Sequence, residues 1–202
     1  ITPLGGVCTG DYDSDGLPDI YLTSPVGGNR LFRNLGNFKF EDATAAAGVE
    51  DGGFWGTGAA FVDIDNDGDL DLYACGYDQP NKCYINDGTG KFTDKAAELR
   101  LDFNGASMMM SFADIDNDGD LDGYLATTAK SPPPGTKFGV IYEGEKPVIP
   151  EPLQEYWEFL YLPGKQVKRV EAGQFDRVFR NDDGQFVEVG RESGIDGPYF
   201  TP

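Results

Sequence analysis

Histidine is absent from the 202-residue chain. Its absence removes every Ser-His-Asp or Cys-His mechanism and every imidazole-ligated metal site. Basic residues are scarce: 16 Lys and Arg stand against 35 Asp and Glu, a formal charge of −19. Such a chain repels phosphate backbones and anionic lipid, which excludes nucleic acid and electrostatic membrane docking as partners. No apolar run is long enough to cross a bilayer as a helix, so membrane insertion is not expected. The N-terminal Ile1-Thr2-Pro3-Leu4-Gly5-Gly6 has neither a basic nor an apolar leader segment, so any export signal has been removed or lies outside this chain. Cysteines number three, Cys8, Cys75 and Cys83, and an odd count is not a disulfide framework. Cys75 and Cys83 could face each other across a hairpin, or be two small buried thiols.

What the chain has is glycine, 28 residues or about twice the usual share of ~7%. Aromatic residues make up 13%, too many for a disordered acidic tail. Both point to a turn-rich all-β protein.

The chain also repeats itself. Three acidic segments read Asp11-Tyr-Asp-Ser-Asp-Gly-Leu-Pro-Asp19, Asp63-Ile-Asp-Asn-Asp-Gly-Asp-Leu-Asp71 and Asp114-Ile-Asp-Asn-Asp-Gly-Asp-Leu-Asp122, starting 52 and 51 residues apart. Shifted by 52, Tyr21 falls on Tyr73, Asn29 on Asn81, Asn34 on Asn86 and Phe40 on Phe92. The third unit resumes the pattern at Asp176-Arg-Val-Phe-Arg-Asn181, after an insertion of 44 residues at roughly 129–172.

Within a unit, the glycine-containing run Phe54–Val62 leads into the acidic loop as a strand, and Leu70–Cys75 leads out with alternating polarity. Lys82–Ile85 is a third strand, Asn86–Gly90 a turn and Lys91–Asp94 the start of a fourth. Ala45–Ala47 is helix-prone, but Gly48 follows at once, so a turn at most is expected. Four antiparallel strands in about 50 residues, repeated, predict β-propeller blades. The expected units are 1–52, 53–103 and 104–196, with 197–202 beginning a further segment. The insertion carries seven of the thirteen prolines. In it Leu153, Tyr156, Trp157, Leu160 and Tyr161 fall on one helical face between Pro152 and Pro163, which predicts a helix. Its aromatic face serves either as a partner-binding arm or as packing on its own blade.

Each acidic loop places Asp at positions 1, 3, 5 and 9, with Gly at position 6 for the bend. Four carboxylates brought together repel unless a cation joins them. A hard ion with flexible all-oxygen coordination fits, which favours calcium over magnesium, and soft metals have no ligand here. Position 12 is Leu22, Ala74 and Leu125, not the bidentate Glu of an EF-hand, so these are strand–loop–strand sites. Position 7 contributes its carbonyl, and the side chains of Asp69 and Asp120 there should face solvent or an outer shell.

The repeated loops, the Trp55-Gly56 leader and the segments Asn29-Arg-Leu-Phe-Arg-Asn34 and Asp176–Asn181 resemble the FG-GAP/VCBS repeat family, the calcium-binding blades of integrin α-subunit propellers and of many secreted bacterial proteins. Among these the chain resembles bacterial members that are themselves similar to cartilage acidic protein. The resemblance covers about 1–128 and 174–196. It implies three calcium sites: Asp11, Asp13, Asp15, Asp19 with the Leu17 carbonyl; Asp63, Asp65, Asp67, Asp71 with the Asp69 carbonyl; and Asp114, Asp116, Asp118, Asp122 with the Asp120 carbonyl. It also implies a secreted or cell-surface protein of adhesion, recognition or structural assembly, with a protein or glycan partner, and no catalytic residue. Three blades are fewer than a closed propeller needs, so the expectation is a piece of a larger propeller, or one completed by self-association through open blade edges. Two alternatives stand beside it: a glycan-binding module using Tyr156, Trp157 and Tyr161, and a calcium-dependent polysaccharide lyase or hydrolase working through a carboxylate pair.

Overall fold

A computed structural model describes residues 5–137, 141–163 and 166–195. The expected further segment at 197–202 lies outside the described residues. The chain is all-β, its strands antiparallel throughout, and its sheets are arranged as propeller-like blades.

The first unit is a meander of β1 (Val7–Gly10), β2 (Asp19–Leu22), β3 (Arg30–Asn34) and β4 (Phe40–Asp42). A single helical turn follows, α1 (Thr44–Ala47), ended by Gly48 in the left-handed conformation at φ 80°, where glycine carries no side-chain penalty. The second unit repeats the order with β5 (Gly56–Val62), β6 (Asp71–Pro80), β7 (Lys82–Asn86) and β8 (Phe92–Asp94), then α2 (Ala96–Leu99). In the third, β9 (Asn104–Ala113) and β10 (Asp122–Thr127) precede the insertion. The inserted elements are β11 (Ile141–Glu143), β12 (Lys146–Val148), a 3₁₀ turn at Glu151–Leu153, β13 (Trp157–Leu162) and β14 (Gln166–Glu171). The unit then closes with β15 (Arg177–Asp182) on β10 and β16 (Gln185–Glu188) on β15. An isolated bridge between Ala129 and Gly173 clasps the two ends of the excursion.

The expected helix in the insertion is not formed. Residues 157–162 make a hairpin with 166–171, in register from Trp157 opposite Glu171 to Leu162 opposite Gln166. The aromatic and branched residues that mimic a helical face also suit a strand, and Pro152 opens only a three-residue 3₁₀ turn. The deciding partner, Val167–Val170, follows Pro163 and lies outside the stretch whose spacing mimics a helical face.

The units pack side by side through their first strands, with β5 between β1 and β9. Glycine permits the approach: a Cβ on Gly6 would run into the Thr57 carbonyl, and one on Gly58 into the Met108 carbonyl. Thr23 donates its hydroxyl to the Thr57 carbonyl, and Thr57 donates in turn to the Ser107 carbonyl at 2.7 Å. Beyond its hairpin partners, the end of β6 pairs with β9, Tyr77 opposite Ala106 and Pro80 opposite Asn104.

Two apolar cores fill the spaces between units. Leu72 and Ala74 of β6 enter the first, with Tyr12, Tyr21, Leu31, Val49, Tyr84 and Phe92. Tyr73 and Cys75 enter the second, with Ile64, Cys83, Leu101, Met110, Leu125 and Phe186. Alternation along β6 therefore feeds a core on each face, and Asp71–Tyr77 is buried without a break. Cys75 and Cys83 are free thiols in the second core, and burial pushes both well above the ordinary thiol range.

Candidate metal centre

Each acidic loop joins the first strand of a unit to the second, leaving and re-entering the sheet at the pairs Gly10–Asp19, Val62–Asp71 and Ala113–Asp122. The position-9 carboxylates, Asp19, Asp71 and Asp122, are buried. In each, Oδ2 accepts from the backbone N–H of position 2 (Tyr12, Ile64, Ile115) at 3.1, 2.9 and 2.8 Å. Oδ1 accepts from the N–H of Asn34, Asn86 and Asn181 on the third strand at 2.7, 2.8 and 2.9 Å. These Asn residues then donate their amides to the position-8 carbonyls of Pro18, Leu70 and Leu121. The rim of every loop is thus fixed to the sheet by one Asp and one Asn.

Within the loop, position 1 accepts from the N–H groups of positions 5 and 6: Asp15 and Gly16 on Asp11, Asp67 and Gly68 on Asp63, Asp118 and Gly119 on Asp114. The bend takes a left-handed residue at position 4 (Ser14, Asn66 and Asn117, φ 57 to 65°) and at Gly16, Gly68 and Gly119 (φ 88 to 101°).

Carboxylate oxygens converge to within 4.8 Å of one another in all three loops. In the second and third the convergent set is positions 1, 3 and 9: Asp63, Asp65, Asp71 and Asp114, Asp116, Asp122. In the first it is positions 1, 3 and 5, Asp11, Asp13 and Asp15, while Asp19 stays outside the tight group. Asp67 and Asp118 at position 5 turn one oxygen to the N–H of position 7.

Burial first, and crowding second, shift several of these carboxyls upward. Burial, reinforced by the charges of Asp65 and Asp67, raises Asp71 to about 6, against the backbone donors that favour its ionised form. Burial likewise raises Asp19, Asp65 and Asp116, neighbouring carboxylates adding to each.

At position 7, Asp120 points out of its cluster, accepting from Asn66 Nδ2 at 3.0 Å and from the Asp183 N–H at 3.1 Å. Asp69 lies against the turn at Gly88, where an added Cβ would come within 2.8 Å of its carboxylate. Both side chains lie outside the convergent sets. A residue not foreseen is Arg33 on β3, which pairs with Asp13 and Asp15 at 2.6 and 3.0 Å. Another is the clamp behind each loop: Asn29 and Asn81 donate to the hydroxyls of Tyr21 and Tyr73, whereas in the third unit Tyr124 donates to Asp176, which stands where the Asn would be.

The donor set is carboxylate oxygen, which suits a hard divalent cation and no soft one. Asp63, Asp65 and Asp71, or Asp114, Asp116 and Asp122, would supply the side-chain ligands.

Comparison with known proteins identifies the repeat. The model of the FG-GAP-like repeat matches residues 11–74 and 63–125, a span holding all three acidic loops and more than half the chain. Cartilage acidic protein 1 of Mus musculus is 33% identical over 129 residues, 61% of this chain and 20% of that protein. The Homo sapiens protein of the same name is 32% identical over 127 residues and the Xenopus tropicalis one 26% over 136. The chain spans about a fifth of the length of these relatives. A repeat matched twice over, on the loops and strands that build the site, places the chain in the FG-GAP-like repeat family.

Proposed function

We propose that the chain is a calcium-binding repeat module, non-enzymatic, that works outside the cell in recognition, adhesion or structural assembly. The observation that carries the reading is the convergence of three carboxylates in each of three loops, every one joining the first strand of its unit to the second. Calcium there would tie the first strand of each unit to the second. At about 1 mM free calcium and a Kd of about 10⁻⁵ M, each site would add about 2.7 kcal/mol to folding. At cytosolic calcium the same sites would be nearly empty, which favours the extracellular setting. Asp, Gly and Asn hold the loops, and the described residues contain no helix long and apolar enough to cross a membrane.

Native mass spectrometry in a calcium-containing volatile buffer tests it. Three calcium ions per chain, with a chelator-sensitive melting temperature, are expected. A folded chain holding none at millimolar calcium overturns the reading.

A glycan-binding role draws on the insertion, where Tyr161 and Tyr142 stand exposed on the two hairpins. Trp157 is the weaker candidate for a sugar platform, because Arg169 already lies over its ring at 4.9 Å. A glycan array at millimolar calcium separates this reading from a protein partner.

A further inference from the structure

The three acidic loops share one plan but not one environment. In the first, a protein cation already lies on the carboxylates. The Arg33 guanidinium, reaching from β3, brings Nε to 2.6 Å from Asp13 Oδ2 and donates from Nη2 to Asp15 Oδ2 at 3.0 Å. Glu41, opposite Arg33 across the β3–β4 pair, steadies the same group at 3.7 Å. The remaining oxygens are also taken: Asp13 Oδ1 accepts from the Asp15 N–H at 3.3 Å, and Asp15 Oδ1 from the Leu17 N–H at 3.0 Å.

The loop-internal bonds recur in the other two loops, where Asp67 and Asp118 likewise accept from the N–H of position 7, but the guanidinium pairing does not. The residue at the Arg33 position is Ile85 in the second unit. In the third it is Arg180, whose guanidinium forks onto Asp182 at 2.7 and 2.8 Å and reaches Asp116 of the loop through its field rather than by a direct pair. Charge follows the same division. The second and third loops each hold five aspartates, whereas the first holds four and faces a guanidinium. The convergent set differs too, with Asp15, an Arg33 partner, replacing the buried position-9 carboxylate.

We infer that Arg33 competes with calcium at the first loop, so that the ion enters there only as the guanidinium leaves, and the chain fills in two stages, two ions and then one. The inference rests on the calcium reading above. Its physical basis is that a divalent ion needs the same Asp13 and Asp15 oxygens that the guanidinium holds, and that a nearby positive charge lowers the attraction of the loop for another cation. The first unit therefore keeps an internal counter-ion at calcium concentrations that already load the other two. Calcium at the first loop frees Arg33 at the surface beside Glu41.

Calcium titration of the full chain by calorimetry, with terbium luminescence excited through Tyr12, tests this. Tyr12 is position 2 of the first loop, where the other loops carry Ile64 and Ile115, so its sensitised emission reports the first site. The wild-type chain should show two tighter sites and one weaker, with the terbium signal following the weaker. In Arg33→Gln, the charge pairs with Asp13, Asp15 and Glu41 are lost, and the weak site should tighten by about 3- to 10-fold while the other two hold their affinities. Arg33→Lys, which keeps the charge but not the fork, should fall between, and it provides the readout should the Gln variant fold poorly. Three equal sites in the wild type, or a first site that is unchanged or weakened in both variants, overturns the inference and leaves the calcium reading standing. No calcium bound to any of the three proteins overturns the calcium reading itself.

Discussion

Asn66, in the second acidic loop, donates its side-chain amide to Asp120 Oδ1 in the third at 3.0 Å. The other oxygen of Asp120 accepts from the Asp183 N–H, so one carboxylate ties two loops and the β15–β16 turn. Asn66→Ala should lower stability by about 0.5–1.5 kcal/mol, the worth of an ordinary hydrogen bond, since exposure to water offsets the gain from the charge. That is a drop of a few degrees in melting temperature for a chain of this size. Calorimetry in chelator and in calcium checks it, and an unchanged midpoint in both would show that the bond contributes nothing.

Asp71 should divide structural from ligand roles. Asp71→Ala strands two buried donors, the N–H groups of Ile64 and Asn86. It should destabilise the chain by roughly 2–5 kcal/mol even with chelator present. Asp65→Asn, at a position with a more exposed side chain, should cost little in chelator and remove most of the calcium-dependent rise in melting temperature. Chemical denaturation with and without calcium distinguishes the two.

Gly58 lies where the first strands of the second and third units meet. Gly58→Ala would press its methyl group onto the Met108 carbonyl, backbone that cannot rotate away. A loss of about 1–3 kcal/mol is expected, the usual cost of overpacking. Gly52→Ala, in open space, serves as the control in the same denaturation series.

Stability should depend on pH with a sign opposite to that of paired carboxylates. Asp71 titrates near 6 in the folded chain and near 3.9 unfolded, so between those values the folded state holds more protons. Stability is then lost as pH rises through that window. Asp19, Asp51, Asp65 and Asp116 are shifted in the same direction. Exposed Asp42, Asp87 and Asp182 shift the other way, but on the surface they carry little weight. In chelator, the melting temperature should fall from pH 4.5 toward pH 6.5. In millimolar calcium, which selects the ionised carboxylates, the fall should flatten or reverse.

The acidic loops were legible in the sequence because everything that shapes them is local: a carboxylate at position 1 reaches the N–H groups of positions 5 and 6, and glycine makes the bend. The split third unit was legible because Asp176–Asn181 keeps the spacing of Asn29–Asn34. The hairpin of Trp157 was not, since one segment read alone cannot show that Val167–Val170 will lie beside it. Nor was the role of Arg33. Its place in Asn29–Asn34 reads as part of a repeated strand, and only the fold brings its side chain, 18 and 20 residues along the chain, onto Asp15 and Asp13. The double burial of β6 was half visible: alternation was there, but both of its faces turn out to be covered.

The bridge between Ala129 and Gly173 has an evolutionary and engineering consequence. The 44-residue excursion leaves and returns through one clasp, braced by the bond from the Thr127 hydroxyl to the Gln174 carbonyl at 3.0 Å. The pairing of β10 with β15, Gly123 opposite Phe179 to Leu125 opposite Arg177, uses no residue of the excursion, and doubling the length of such a loop costs only about 0.6 kcal/mol. The third unit is thus a socket: its contents can be trimmed, lengthened or exchanged for a foreign peptide while the scaffold around it keeps its shape.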